Sequence, residues 1–341
     1  MNSKEIIKGV ITHDNPPRIG LDFNPPHTKD IYWSPAAKLK NKSMPIIDWG
    51  ENDSELGKQV PWFKGSLMRD EYGNIWGRVE GDSITHGEVV KGVLEDGYNL
   101  LNTYNMPEID EVGTRKIARE LDKNDEKFKL GVLGGFGFAV MRYMRKMDNL
   151  MVDMVLDKEN HSRLNEMVDE LVLKQIRIAC NMGFDAAGIY EDWGTQTSLL
   201  ISPGLWRELY KPSYKKLISE VHRLGMFFFM HSCGYIYEII EDLIECGVDV
   251  FNFDQITLMG VDRLSGEFGG RVTFWNPVDS QKILQTGNKE VIQWHARDLI
   301  RKFGKFNGGF IAKDYPQLDC IGVKEEWAQW ARDVFINEGN Y

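Results

Sequence analysis

Gly225-Met-Phe-Phe-Phe-Met-His231-Ser-Cys233-Gly234 decides how this chain is to be read. Residues 226–230 form an unbroken apolar run, as expected of a strand covered on both faces in a parallel sheet. The run ends in a histidine and a cysteine two positions apart. In extended chain, side chains at i and i+2 leave the backbone on the same side. This strand end therefore presents an imidazole and a thiol together.

The same grammar extends in both directions. Upstream, 130–133 reads as a strand, followed by Gly134-Gly-Phe-Gly137 and a helix over 139–147. An amphipathic stretch, 159–182, stops at Gly183. The strand 186–190 ends in Glu191-Asp192-Trp193-Gly194. Ser202-Pro203 opens a helix over 204–210, with the serine as cap and the proline in the first turn. A helix over 213–224 closes on Gly225. Downstream come a helix at 235–246, strands at 248–253, 271–275 and 309–312, and helices near 258–267, 279–285, 289–303 and 324–337.

Strand–helix repetition of this kind predicts parallel βαβ units, and enough are present for a closed (β/α)8 TIM-type barrel in the α/β class. The glycines at 134–137 lack the spacing of a dinucleotide fingerprint. The expected organisation is a single barrel domain over 1–341, with 1–110 as an N-terminal extension or cap. That first part is irregular and rich in Pro, Trp and Gly, with short strands at 19–23, 44–49 and 74–79. Trp33, Trp49, Trp62 and Trp76 are concentrated there, either as a packing layer or as walls of a substrate pocket.

Composition bounds the function. With 341 residues, 42% hydrophobic and 27% charged, the chain has material for a core of ordinary size. No apolar stretch approaches the roughly 18–20 residues that span a bilayer, and the N-terminus lacks a secretory pattern, so a cytoplasmic protein without membrane attachment is expected. A formal charge of −10 argues against a nucleic-acid partner, which demands clustered Lys and Arg. Four cysteines are too few for a disulfide framework in a chain this long. Cys180 and Cys246 sit in helical patterns as ordinary core residues. The histidines at 13, 27, 86, 161, 222 and 295 show no pairing pattern.

Barrel active sites lie at the C-terminal ends of the strands. Glu191, Asp192, His231, Cys233, Asn252, Asp254 and Asn276 fall at or just beyond such ends, and Cys320 follows the apolar run 308–312. Spacing alone leaves His231 and Cys233 open between packed core residues and metal ligands. With Cys320, three soft ligands and an open fourth position suit a catalytic zinc better than a closed structural one.

Gly188-Ile-Tyr-Glu-Asp-Trp-Gly-Thr-Gln, Ile201-Ser-Pro, Lys211-Pro, His231-Ser-Cys-Gly and Gly309-Phe-Ile, with Cys320 soon after, resemble the uroporphyrinogen decarboxylase superfamily, specifically its zinc-dependent, corrinoid-linked methyltransferase branch. The resemblance covers most of the chain from about residue 128. It implies a barrel holding zinc on His231, Cys233 and Cys320, and methyl transfer between a small methylated substrate and a corrinoid (cobalamin) carried by a partner protein. No residue is assigned to that corrinoid. The decarboxylases carry an arginine-rich N-terminal segment, whereas Arg18, Arg69 and Arg78 are scattered here, so porphyrinogen decarboxylation ranks below methyl transfer.

Within that reading Glu191 and Asp192 are the catalytic candidates, as a proton relay or an exchangeable zinc ligand. Tyr190, Asn252, Asp254 and Asn276 are weaker candidates for contacts to substrate or to the ligands. Ten tryptophans favour a flat apolar substrate, so the leading expectation is demethylation of a methoxylated aromatic (an O-demethylase methyltransferase). The alternatives are methyl transfer from methylcobalamin to a thiol of the coenzyme M type, a metal-free uroporphyrinogen-type decarboxylase, and a zinc-stabilised scaffold.

Overall fold

The computed structural model describes residues 1–40, 54–80 and 87–341. The expected strand at 44–49, with Trp49, and His86 lie outside the described residues. Two compact units are present: Met1–Ala36 with Ile117–Leu133 and Ile176–Tyr341, and Ala37–Lys116 with Gly134–Gln175.

The first unit contains eight parallel strands: Gly20–Asp22, Ile31–Pro35, Phe128–Val132, Ala186–Tyr190, Phe227–His231, Val250–Asn252, Thr273–Asn276 and Phe310–Lys313. From Ile31–Pro35 onward each strand pairs with the next, and Phe310–Lys313 pairs with Gly20–Asp22. The two end strands are consecutive in the chain. The Asp30 amide donates to the Leu21 carbonyl at 2.7 Å, and an antiparallel bridge joins Asp22 to Lys29, leaving a nearly closed (β/α)8 barrel. Strands buried along their whole length, such as Thr273–Asn276 and Phe310–Lys313, explain the continuous apolar runs in the sequence.

Register places the site. Tyr190 pairs with His231, and His231 pairs with Asn252, so three polar strand ends stand side by side. Asp22 pairs with Lys313 at the closing seam. At the other end of the barrel, helix Ser3–Ile11 begins with a capping box between Asn2 and Glu5. It buries Ile6, Ile7, Val10 and Ile11 against Phe128, Ile311 and other interior residues. Each such side chain contributes roughly 1.5–3 kcal/mol. Lys4 and Lys8 pair with Asp185 at 2.9 and 3.0 Å.

Two expectations change. The stretch 1–110 does not behave as one extension: Gly20–Asp22 and Ile31–Pro35 are barrel strands, while Ala37–Lys116 belongs to the second unit. The helix expected at 279–285 is reduced to a 3-10 turn, Leu284–Thr286. The Asp279 carboxylate accepts from the amides of Gln281 and Lys282 at 3.0 and 2.7 Å and from the Thr257 hydroxyl at 2.6 Å. An aspartate that captures amides in this way offers the backbone an alternative to helix.

The second unit holds a three-stranded antiparallel sheet, Gly65–Arg69, Ile75–Val79 and Glu88–Lys91, with helices Gly137–Met144 and Met147–Leu156. Its first hairpin is organised by buried Asp70, which accepts from the Tyr72 and Asn74 amides, Asn74 Nδ2 and Trp76 Nε1, each within 3.0 Å. Trp76 is thus a core residue, whereas Trp62 is exposed.

Candidate metal centre

The strand Phe227–His231 ends at the barrel mouth with His231 buried. Gly234 lets the chain turn immediately after Cys233. Its φ is +79°, and a Cβ there would come within 2.3 Å of the Gly194 carbonyl oxygen. The Tyr235 amide then donates to the Thr195 carbonyl at 2.7 Å. Two strand-end loops are thereby held in contact, and the loop carrying Asp192 faces the one carrying Cys233.

Asp192, His231 and Cys233 converge, with one ligand atom from each lying within 4.8 Å of the others. His231 Nε2 is 3.3 Å from Cys233 Sγ and 3.7 Å from Asp192 Oδ1. Ligands about 2.0–2.3 Å from a tetrahedral zinc stand about 3.3–3.8 Å from one another, so both separations fit its edges. Asp192 Oδ1 also accepts from the Cys233 amide at 2.8 Å, which fixes the carboxylate against the loop.

The hydrogen bonds around Asn252 select the imidazole tautomer. Asn252 Nδ2 donates to the Trp275 carbonyl at 2.7 Å, an acceptor that accommodates only the amide end. Oδ1 must therefore face His231 Nδ1, 2.7 Å away, and that nitrogen carries the proton. The lone pair is left on Nε2, directed at Cys233 and Asp192, as a metal-ligating histidine requires. Burial, followed by the neighbouring carboxylates of Asp192 and Asp254, pushes the Cys233 thiol well above its usual range.

Asp254 is buried, which disfavours its charge, yet the Lys313 ammonium and the hydrogen bond from Asn252 outweigh the burial and hold its carboxyl below the usual range. Lys313 reaches Asp254 Oδ1 at 3.3 Å and Asn252 Oδ1 at 3.2 Å. The Tyr190 ring lies 5.1 Å from the His231 ring. Asn276 spends both ends of its amide on the Phe253 backbone, at 3.3 and 3.1 Å, and so ties its strand to the neighbouring strand end.

Glu191 is not brought to this group. It is fully buried and accepts a short hydrogen bond from the Tyr214 hydroxyl, on the opposite side of the strand from Tyr190 and Asp192. Cys320 is also outside the converging three. It is exposed in the turn Leu318–Ile321, where its Sγ lies 3.3 Å from Gln317 Oε1. The turn follows the strand Phe310–Lys313 at the same mouth, where half-buried Tyr315 has its hydroxyl pushed up to about 12 by burial and by the nearby Asp254 carboxylate. Lys313 and Asp22 escaped the sequence reading, although each ends an apolar run and the rule that selected Asn252 applies to both.

The family model of uroporphyrinogen decarboxylase (URO-D) matches residues 102–313, more than half of the chain and including Asp192, His231 and Cys233. The chain belongs to the uroporphyrinogen decarboxylase family. Among solved structures, this member of the family is similar over 99% of both chains to a methyltransferase from Methanosarcina mazei, at 11% identity and a TM-score of 0.66, a likeness of fold. Xylanase 10B from Thermotoga maritima (10% identity, 99% of both chains, TM-score 0.43) and D-psicose 3-epimerase from Clostridium cellulolyticum H10 (11% identity, 70% of this chain and 83% of that one, TM-score 0.42) stand much further off. No curated protein matches the sequence. Among the described residues, no helix is long and apolar enough to cross a membrane.

Proposed function

We propose that this protein is a zinc-dependent methyltransferase that moves a methyl group between a methoxylated aromatic compound and a corrinoid carried by a separate cytoplasmic protein. The observation that carries the reading is the convergence of Asp192, His231 and Cys233 at the C-terminal mouth of a URO-D-family barrel. The full-length likeness to a methyltransferase supports it.

In this reading His231 and Cys233 are permanent metal ligands and Asp192 is an exchangeable one. Cys320 joins them from its rim turn, as the family resemblance implies. Bound zinc would act as a Lewis acid toward the ether oxygen, stabilising the phenolate that departs when the methyl group leaves. The chain's own residues do the rest. Asn252 holds the imidazole in its ligating tautomer, Asp254 and Lys313 fix Asn252, and Tyr190 walls the space in front of the ligands. Cleavage of the C–O bond would leave its electron pair on the phenolate oxygen, and the reduced corrinoid of the partner protein would supply the nucleophile that accepts the methyl group.

The test is an anaerobic assay with cob(I)alamin and aryl methyl ethers, methanol and methylamines in parallel. Phenol release from the ether is expected, and Cys233→Ser is expected to abolish it. Methyl transfer from methylcobalamin to coenzyme M without ether cleavage would move the protein to the thiol-methylating class. Decarboxylation of a porphyrinogen by metal-free protein would replace the reading altogether.

A further inference from the structure

Beside the metal centre, within the barrel unit, lies a small cleft walled by Asp22, Lys29, Trp33, Tyr190, Trp275 and Lys313. Two donors there can take a further acceptor, and the Lys313 ammonium lies 4.9 Å from the Trp275 ring centroid. Lys313, 5% exposed, donates to Asn252 and Asp254, and an ammonium has a third N–H to place. Trp275 Nε1–H is buried and has no hydrogen-bond partner among the described residues. Asp22 lies near enough for that N–H to favour its charge, but it accepts no bond from it. A buried donor without an acceptor is costly, and Trp275 Nε1–H beside an ammonium with an N–H to spare points to an acceptor that arrives with a ligand.

A third donor stands at the entrance. Lys29 pairs with Asp22 at 2.8 Å, and its ammonium lies 5.4 Å from the Trp33 ring centroid. The carboxylate of Asp314, on the same wall, is already matched by Arg332 at 2.8 Å and by the Asn24 amide at 2.8 Å. Burial pushes the carboxyls of Asp22 and Asp314 upward, against the opposing pull of Lys29 and Lys313 on the first and of the Asn24 amide and Arg332 on the second. The Trp33 and Tyr190 side chains are part-exposed beside these donors, and Tyr190 is the wall shared with His231.

We propose that this cleft anchors a carboxylate of the substrate, held by the third N–H of Lys313, by Trp275 Nε1–H and by Lys29, with the substrate's ring lying along Tyr190 toward His231 and Cys233. The proposal rests on the methyl-transfer reading for which group reacts. The anchoring itself needs no methyl group and no metal. It narrows the substrate class to ring compounds that carry a carboxylate as well as the transferable methyl.

Calorimetric titration of the whole protein with benzoate and with benzamide tests it, because neither probe contains a methyl group. Benzoate is expected to bind, and benzamide to bind at least about tenfold more weakly, since a charge-assisted contact is lost. Trp275→Phe removes one N–H and should weaken benzoate several-fold. The double variant Lys313→Met/Asp254→Asn removes the ammonium without leaving a buried charge unmatched, and should weaken benzoate by about tenfold or more. Cys233→Ser should leave benzoate binding in place. Failure of the wild type to bind benzoate, equal affinity for benzamide, or unchanged affinity in both cleft variants overturns the anchor. Benzoate binding without demethylation of 4-methoxybenzoate would sink the methyl-transfer reading and leave the anchor standing. Demethylation of methoxybenzene and 4-methoxybenzoate with equal kcat/KM would do the reverse.

Discussion

The two ends of the barrel are built on opposite principles. At the N-terminal end, Ile6, Ile7, Val10 and Ile11 close the interior with apolar surface, and the nearby charges of Lys4, Lys8 and Asp185 are paired at its edge. At the C-terminal end the interior is polar. Asp22, Asp254, Lys313, Asn252 and His231 are all buried, and Trp275 Nε1–H has no hydrogen-bond partner among the described residues. One end is arranged to stay shut and the other to receive charge. In barrels of this type the first end carries stability and the second carries chemistry, so substitutions at the two ends should fail in different assays.

The largest contrast is expected at the metal ligands. His231→Ala or Cys233→Ser should remove bound zinc and lower turnover by about a thousandfold or more, while the thermal midpoint of the metal-free proteins stays within a few degrees of wild type. Ile7→Ala should behave in the opposite way. It should cost about 2–5 kcal/mol in denaturant unfolding with zinc content intact. A destabilised Cys233→Ser or a zinc-free Ile7→Ala would dissolve the division between the ends.

Asn252→Ala sits between these extremes. It frees the Nδ1 proton of His231 and leaves the imidazole tautomer unselected, so zinc affinity should fall by about 10- to 100-fold in competition with a chelator. The adjacent carboxylates separate next: Asp192→Asn should weaken zinc binding, and Glu191→Gln should not, because Glu191 is engaged with Tyr214.

The last effect is one of pH and arises in the second unit. Burial lowers the pKa of His161 from 6.5 to about 4, so the unfolded chain takes up a proton there before the folded one does. Its contribution to stability is complete above about pH 6.5 and declines as pH falls toward about 4, by up to roughly 3 kcal/mol in all. His161→Gln should flatten that part of a stability–pH profile and leave zinc content unchanged. An unaltered slope between those pH values would remove His161 from the account.

Much of this architecture could be read from the chain. The strand Ala186–Tyr190 and the helix Lys289–Phe303 lie where apolar runs and helical periodicity put them, because parallel barrel strands buried on both faces leave a strong signal. Ile31–Pro35 left little signal: only its first residue, Ile31, is buried, and prolines crowd its surroundings. At the site, the two-residue rule that paired His231 with Cys233 applies equally to Tyr190 and Asp192. Applied there, it favours Asp192 over Glu191, which the period of a strand sends to the other face. The burial of Lys313 beside Asn252 and Asp254 had no local signal, since it depends on the closing seam, where Asp22 pairs with Lys313. The position of Cys320 depends on a turn whose course no periodicity encodes.

Zinc content measured on purified protein, wild type beside Cys233→Ser with matched circular dichroism spectra, tests the central claim most directly. The account predicts about one zinc per chain in the wild type and at least a tenfold loss in a variant that remains folded. Wild-type protein that folds and turns over without zinc, or a Cys233→Ser protein that keeps its full complement, would contradict it.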